Sequence, residues 1–398
     1  MINFDFDKYC YGCGGCANVC PTSAISMQEN KEGFMMPHID MEKCIQCGAC
    51  ERTCIYLQKR KKAEEEKEAQ CYALYGSEDT GTLMKSASAG VFPALARAVL
   101  NDGGYVCGCV WNEKMEAVHI VSNDSKEIER MLHSKYTQSD MQNVYQETRK
   151  LLQAGKKVLF SGTPCQIAAV LRFTGNPKNL YTCDVICKGV PSPGVWRKYK
   201  NYLEKTQGSR LKAVILRGKH RYGWNGPVTK YEFEDGSIRE DLFFQLNHYI
   251  VGFLDGLYMR NSCYSCEYKD KNHEADIVLG DFWGINRKDF FQSGNKGVSA
   301  VIVRTGKGRE LFEAIRKEFV VNPVSYEEMV EKNPSMTAST PDNANRKKFF
   351  EELESCSIEE NISKHTDLLG RRKKVIRFMY QTGIFSVFKW WKTKFYKG

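Results

Sequence analysis

Two stretches near the N-terminus repeat one pattern of cysteines, Cys10-Tyr-Gly-Cys13-Gly-Gly-Cys16-Ala-Asn-Val-Cys20-Pro21 and Cys44-Ile-Gln-Cys47-Gly-Ala-Cys50-Glu-Arg-Thr-Cys54. This spacing is the one with which bacterial proteins hold a pair of 4Fe-4S clusters, and the fourth cysteine of each run ligates the other cluster. The pattern therefore predicts one cluster on Cys10, Cys13, Cys16 and Cys54 and a second cluster on Cys44, Cys47, Cys50 and Cys20. A pair of zinc sites is the alternative, but zinc is usually held by two separated pairs of ligands.

The composition is that of an ordinary folded protein of 398 residues, with 42% hydrophobic and 27% charged residues. This length leaves room for two or three domains. No apolar stretch reaches the about 20 residues of a membrane-spanning helix, and the first eight residues lack an apolar signal core. We therefore expect a cytoplasmic protein whose 17 cysteines lie in a reducing compartment.

The chain divides by composition into four segments. Residues 1–56 form the cysteine-rich module, which we expect to be an α+β domain of the ferredoxin type, and residues 57–70 form a charged linker. Residues 71–335 alternate strand-like and helix-like segments, which is typical of a mixed α/β domain. Residues 336–398 are predicted to form a helical, basic tail.

Two segments of the α/β region have clear local patterns. Ser88 is predicted to cap a helix that ends at Asn101-Asp-Gly-Gly104, before a strand over 105–111. A second strand is predicted over 157–160, followed by a turn, by Pro164 at the first helical position and by a helix to residue 173.

Five further cysteines lie in predicted turns or beside predicted strands of this region: Cys165, Cys183, Cys187, Cys263 and Cys266. A third 4Fe-4S cluster needs four thiolates, and a Cys-x-x-Cys pair with two cysteines from other loops supplies them. The alternatives are a zinc site, or buried cysteines that act as small hydrophobic residues. Spacing alone does not choose four from the five.

The sequence around these cysteines resembles the beta subunits of the coenzyme F₄₂₀ hydrogenases and dehydrogenases, which form one family. The shared blocks are Ser86-Ala-Ser-Ala-Gly-Val-Phe92, Ser134-Lys-Tyr-Thr-Gln-Ser139, Leu159-Phe-Ser-Gly-Thr-Pro-Cys-Gln166, Asp184-Val-Ile-Cys-Lys-Gly-Val-Pro-Ser-Pro193, and Cys263-Tyr-Ser-Cys266 with Gly280-Asp-Phe-Trp-Gly284. Together the blocks cover about residues 71 to 305. Three positions depart from the family pattern on the side where a substrate would lie: Ala89, Lys188 and His273.

The resemblance implies a flavin-binding domain in which FAD lies near a third 4Fe-4S cluster. The implied cluster ligands are Cys165, Cys187, Cys263 and Cys266. The implied FAD contacts are Ser86, Ser88, Gly90, Lys135, Gln138, Ser139, Gly162 and Thr163. Gly162 and Thr163 precede a predicted helix whose free backbone N–H groups suit a pyrophosphate, although ordinary helix capping explains the same residues. No catalytic residue is identified, and His220 is only a candidate proton donor.

The tail interleaves nine Lys and Arg with large aromatic residues between Arg371 and Lys397 and has no acid there. This pattern suits peripheral contact with the inner face of a membrane, and the alternatives are docking on the chain's own body or on an acidic partner. The tail holds nearly all of the net charge of +10, so we expect no nucleic-acid partner.

These features together predict an iron-sulfur flavoprotein oxidoreductase. It exchanges electrons with a redox partner protein such as ferredoxin and acts on a small organic substrate or a deazaflavin. The alternatives are a non-catalytic electron-relay subunit of a larger complex, and a zinc-stabilised interaction protein.

Overall fold

The structure, a computed structural model, describes residues 1–58, 69–76, 82–242, 246–269 and 273–369, together with residues 378 and 382. Most of the predicted charged linker and nearly all of the basic aromatic stretch lie outside the described residues. Among the described residues, no helix has both the length and the apolar character needed to cross a membrane.

The N-terminal module has two similar halves. Its elements are α1 (Phe6–Tyr9), α2 (Gly15–Val19), β1 (Ile25–Glu29), β2 (Met35–Ile39) and α3 (Ala49–Thr53). The two strands pair antiparallel, and α2 packs on α3. Gly14 and Gly48 precede α2 and α3 at φ values of 72° and 71°, in the left-handed region that favours glycine. The third cysteine of each run therefore lies inside a one-turn helix, and the fourth ends that helix.

The rest of the described chain contains a longer series of elements. In chain order they are β3 (Gln70–Gly76), α4 (Val91–Asn101), β4 (Tyr105–Trp111), β5 (Ala117–Ser122), α5 (Ser125–Met131), α6 (Val144–Gln153), β6 (Val158–Gly162), α7 (Pro164–Thr174), β7 (Leu180–Val185), α8 (Pro193–Gln207), β8 (Leu211–Gly218), β9 (Val228–Phe233), β10 (Ile238–Asp241), α9 (His248–Leu254), β11 (Ile277–Asp281), α10 (Arg287–Gln292), β12 (Ser299–Val303), α11 (Gly306–Ile315), β13 (Phe319–Pro323), α12 (Tyr326–Glu331), α13 (Arg346–Glu351) and α14 (Ile358–His365).

The largest sheet has eight strands in the order β13-β3-β12-β11-β7-β6-β4-β5. Its four central strands, β11, β7, β6 and β4, run parallel, and the flanking strands pair antiparallel. The sheet is therefore mixed in strand direction, and together with its helices it forms the mixed α/β domain that the sequence predicts. Because the four central strands are parallel, their carboxyl ends meet at one edge.

Helices cover both faces of this sheet. Leu95 of α4 and Phe312 of α11 belong to one hydrophobic core, and Tyr145 of α6 and Ile167 of α7 belong to the core on the opposite side. A separate three-stranded antiparallel sheet, β10-β9-β8, packs with α8 and α9 around a third core. Phe349 of α13 and Ile362 of α14 lie in this third core, so these two helices after residue 335 pack on the same body.

The local expectations agree with the structure except at one helix cap. The strand over 105–111 is confirmed, Pro164 begins α7 as predicted, and α4 ends at Asn101. The residue that precedes α4 is Gly90, with φ of 84°, and not Ser88. The Ser88 hydroxyl instead donates to the Val298 carbonyl at 3.0 Å, because the chain before α4 pairs with a distant loop.

Candidate functional site

The first predicted cysteine set comes together inside the module. Burial raises the pKa of Cys13 to about 12, and Cys10 and Cys54 lie close enough to raise it further. Burial likewise raises the pKa of Cys16, with added effects from Cys13, Cys10 and Cys54. The fourth cysteine of the second run has therefore crossed to the first set. We call Cys10, Cys13, Cys16 and Cys54 the inner set.

The other four module cysteines surround a small cavity. Cys20, Cys44, Cys47 and Cys50 all line it. Cys47 is exposed, and the neighbouring Ile45 keeps 64% of its surface accessible. We call these four cysteines the outer set, since one of them reaches the protein surface.

Four of the five central cysteines also converge. Burial raises the pKa of Cys165, and Cys266, Cys187 and Cys263 lie close enough to contribute to the rise. Burial raises the pKa of Cys263 to about 12. The set combines the first turn of α7, the loop after β7 and the segment before β11. We call it the central set.

Cys183 lies apart from the central set. It is 1% exposed within β7, where it belongs to the core that includes Leu95. Burial raises its pKa, and the charged groups near it are Asp184 and Asp276 rather than other cysteines. The structure therefore distinguishes Cys183 from the four cysteines of the central set, which the spacing alone could not do.

Each of these three sets provides four thiolates from more than one chain segment. Among the described residues, no group of three or more His, Cys, Asp or Glu is arranged for a single metal ion. A 4Fe-4S cube binds one thiolate at each of four irons, so it holds its ligands farther apart than one tetrahedral ion does. The donor type and number in each set fit such a cube.

The inner and central sets face each other across the contact between the module and the main sheet. The Tyr145 hydroxyl of α6 donates to the Cys13 carbonyl at 2.9 Å, and this tyrosine also lies near Cys165. The ring of Tyr11 packs edge-on against Tyr268 with centroids 5.4 Å apart. Buried aromatic side chains therefore fill the space between the two sets.

A cavity of about 520 Å³ opens at the carboxyl edge of the parallel strands. Gly162, Val185 and Asp281, which end β6, β7 and β11, line it. In open α/β sheets, ligands bind outside the carboxyl ends of the strands. Cys187 of the central set also lines this cavity, so the cysteine set and the cavity share a wall.

Most of the predicted FAD contacts lie around this cavity. Seven of the eight line it: Ser86, Ser88, Gly90, Lys135, Ser139, Gly162 and Thr163. Lys135 donates to the carbonyls of Arg130 and Leu132 at 2.8 and 2.7 Å, at the end of α5. Burial lowers the pKa of Lys135 to about 8, so its charge is only partly retained above neutral pH.

The start of α7 differs from the expectation in one respect. The Thr163 amide donates to Oε1 of Gln166 at 2.9 Å, because the two residues form a capping box. This N–H group is therefore not free for a phosphate. The Thr163 hydroxyl lies 3.1 Å from Sγ of Cys165, so Thr163 links the cavity wall to the central set.

Gln138, the eighth predicted FAD contact, does not line the cavity. Its side-chain amide donates to the carbonyls of Tyr11 and Gly12 at 3.0 and 3.3 Å, and its oxygen accepts from Nε of Arg260 at 2.8 Å. The side chain belongs to the contact between the module and the sheet. Its neighbour Ser139 lines the cavity instead, and its hydroxyl accepts from Nε2 of Gln166 at 2.9 Å.

Of the cavity residues that are absent from the sequence-based set, three have an unpaired buried nitrogen. His119, His133 and Arg217 line the cavity, and each has one buried nitrogen for which the described residues provide no hydrogen-bond partner. Burial lowers the pKa of both histidines to about 4, so both are neutral at pH 7. For Arg217 the sequence contains one signal, since this cation stands near the end of the mainly apolar strand β8. His220, by contrast, pairs with Glu240 and does not line the cavity.

Two family models match the chain. Residues 9–57 match the 4Fe-4S dicluster domain, and residues 155–328 match the model that describes the C terminus of the coenzyme F₄₂₀ hydrogenase/dehydrogenase beta subunit. The resemblance expected from the sequence is thereby confirmed.

Individual relatives cover different shares of the chain. A subunit of the F₄₂₀H₂ dehydrogenase of Methanosarcina mazei, designated F, is 22% identical over 329 residues, which are 78% of this chain and 84% of the relative. An uncharacterised polyferredoxin-like protein of Methanocaldococcus jannaschii is 41% identical over 56 residues, 12% of this chain and 33% of that protein. A chain of the xenon-derivatised F₄₂₀-reducing NiFe hydrogenase complex from Methanosarcina barkeri is 18% identical with a TM-score of 0.44, over 68% of this chain and 91% of that chain.

Proposed function

We propose that this chain, an iron-sulfur protein related to the beta subunits of coenzyme F₄₂₀ hydrogenases and dehydrogenases, is an FAD-dependent oxidoreductase. In this proposal a ferredoxin-type partner exchanges electrons with the outer set, and a small organic substrate or a deazaflavin binds in the cavity. The direction of electron flow is open. The cytoplasmic location and the contact of the tail with a membrane stay predictions.

The shared wall between the central set and the cavity carries this proposal. Cys187 belongs to both, so a cluster on the central set would lie beside whatever binds in the cavity. Tyr145 lies near both the inner set and Cys165 of the central set. The outer set reaches the surface at Cys47. Cys54 of the inner set lies near Cys50 of the outer set, which supports a series of three clusters from the surface to the cavity.

The cavity has the size and the polar groups of a cofactor site. Its volume of about 520 Å³ lies within the roughly 300–1,000 Å³ of ligand pockets. The unpartnered nitrogens of His119, His133 and Arg217 suit a ligand rich in hydrogen-bond acceptors. When bound, FAD would exchange single electrons with clusters and a hydride with an organic substrate.

Several residues of the cavity wall have roles in binding and orientation. Lys188 and Lys332 add positive charge to the wall. Arg217 forms an ion pair with Asp281, and its guanidinium lies over the ring of Trp283. Trp283 stacks on Trp224 with ring centroids 4.9 Å apart, and the Trp224 indole donates to Asp281 at 2.7 Å. This arrangement presents a fixed aromatic face beside cations, which suits a planar, anionic ligand.

The second candidate is a relay subunit that passes electrons to a separate oxidoreductase. The relative from Methanosarcina mazei is named as a subunit, which favours a chain that works with partner proteins. In that case the outer and inner clusters suffice, and the cavity needs no flavin.

Iron, zinc and acid-released flavin per chain, measured after anaerobic purification, separate these functions. We expect about 12 iron and one FAD, from three clusters of four irons. About 8 iron without flavin in a well-folded protein would favour the relay subunit. Zinc without iron or flavin would favour an interaction protein.

A further inference from the structure

Arg260 is a buried cation between the inner and the central cysteine sets. Only 1% of its surface is exposed. Its positive charge acts on Cys10 and Cys13 of the inner set and on Cys263 and Cys165 of the central set. The cysteines that act most strongly on Arg260 thus belong to the inner and central sets.

The guanidinium of Arg260 is held by neutral groups from several segments. Nε donates to Oε1 of Gln138 at 2.8 Å, Nη1 donates to the Cys10 carbonyl at 2.9 Å, and Nη2 donates to the Met35 carbonyl at 2.8 Å. Its central carbon lies 4.8 Å from the ring centroid of Phe34. No carboxylate of the described residues forms an ion pair with it.

A buried arginine without an anionic partner is costly, since burial of an unpaired charge is strongly unfavourable. Four ionised thiolates on each side provide the missing negative charge once clusters are assembled. Among the described residues, the main electrostatic partners of the cation are therefore cysteines of the inner and central sets.

The chain around Arg260 is shaped to hold this cation in place. Gly12, with φ of 62°, lies between the first two cysteines of the first run, and a Cβ there would clash with Nη2 of Arg260. The Ser262 hydroxyl donates to the Cys10 carbonyl at 3.1 Å, beside the bond from Arg260. The glycine of the first run thus makes room for an arginine that lies far away in the sequence.

We infer that Arg260 is the shared countercharge of the inner and central clusters and holds the reduction potentials of both more positive than they would be without it. A fixed cation stabilises the more negative, reduced form of a nearby cluster, and net charge and hydrogen bonds are known to set such potentials. The low dielectric of this buried contact strengthens the effect. The part that concerns the central cluster rests on the function proposed above.

The test is an anaerobic redox titration of the purified holoprotein and its Arg260→Gln variant, followed by electron paramagnetic resonance. In the variant we expect the reduction potentials of the inner and central clusters to become more negative. The expected shift changes the equilibrium constant of each one-electron reduction at least tenfold, which corresponds to about 59 mV. The outer cluster is the internal control, and its potential is expected to stay unchanged. Unchanged potentials of the inner and central clusters, or an equal shift of all three clusters, would overturn the inference.

Lys269 provides a matched control variant. It is buried, and its positive charge opposes the rise that burial gives to the pKa values of Cys187 and Cys266 in the central set. We expect Lys269→Gln to shift the central cluster alone, whereas Arg260→Gln shifts two clusters. A shift of the inner cluster in the Lys269 variant equal to that in the Arg260 variant would show a general effect of core disruption and would contradict the inference.

Arg260→Lys tests the inference if the glutamine variant does not fold. Lysine keeps the charge but loses the planar fork of donors. We expect both potentials to stay close to those of the wild type, so that the equilibrium constant of each reduction changes by no more than about a factor of three. A tenfold shift with the charge retained would overturn the countercharge role. The iron content of the wild type is measured alongside: fewer than about 12 irons would contradict the proposed function, while the inner cluster still tests Arg260.

Discussion

Cys183 and Cys187 belong to one short segment, yet they lie in different chemical environments. Cys183 lies inside β7, where neighbouring strands cover it on both sides. Cys187 follows the end of β7 and lies close to Cys165, Cys263 and Cys266. Because the backbone can turn after the end of β7, the thiol of Cys187 lies with the central set.

Replacing each of these cysteines by alanine tests the central cluster. We expect Cys187→Ala to lower the iron content by about four atoms per chain, because a cube loses one of its four ligands. Cys183→Ala is the matched control and should keep all the iron, with a loss of stability of about 1 kcal/mol for the missing sulfur atom. Iron analysis and thermal unfolding of both purified variants provide the measurement. A Cys187 variant with full iron content, or a Cys183 variant that loses four irons, would contradict the assignment.

At the scale of elements, the turn of the β1–β2 hairpin docks on the start of α8. Gly33 lies in this turn with φ of 81°, and a Cβ there would be 2.5 Å from Cα of Gly194. The Ser192 hydroxyl, 2.8 Å from the same Cβ position, also accepts from the Val195 amide to cap α8. The closest atoms at this contact are therefore backbone atoms of Gly194, which cannot move aside as the end of a flexible side chain can.

Gly33→Ala is expected to weaken this docking. The variant bears the cost of alanine at positive φ, about 1–2 kcal/mol, and the cost of overpacking, about 1–3 kcal/mol. Gly236→Ala is the control, because Gly236 has φ of 82° with nothing within 4 Å of its Cβ position. We expect faster hydrogen exchange in β1, β2 and the first turn of α8 only for Gly33→Ala, together with the larger drop in Tm. Equal effects of the two variants would show that positive φ alone matters.

Local elements were predictable where the chemistry is local. The turn before α7 was predicted from Pro164, whose fixed φ suits a first helical residue, and the strand over 105–111 from its composition. The cap of α4 was not, since Ser88 bonds to Val298 in a loop that no local pattern reveals. The contacts of Gln138 and Arg260 could not be predicted either, because they depend on the docked module, which brings together residues far apart in the sequence.

At the scale of the whole molecule, the N-terminal module and the region of the eight-stranded sheet differ in the size of their hydrophobic cores. The module's own cluster has three buried members, Ile2, Ile25 and Cys50, whereas its Tyr11 and Ile55 are buried in a core of the main sheet. The eight-stranded sheet has a hydrophobic core on each face. Small domains of this kind commonly depend on bound metal for their folding, because the binding free energy becomes folding free energy.

Removal of iron is therefore expected to unfold the parts of the chain that hold it and to leave the sheet intact. After anaerobic chelation, hydrogen exchange should become faster over residues 1–58 and around Cys187, Cys263 and Cys266, because each set loses the ion-thiolate bonds that tie distant segments together. The strands β4, β6 and β7 should keep slow exchange, because their protection comes from the buried core. Peptide-resolved mass spectrometry on the holoprotein and the chelated protein measures both regions in one sample. An equal rise over the strands would mean that the sheet also depends on the clusters, and an unchanged module would mean that its small core suffices without them.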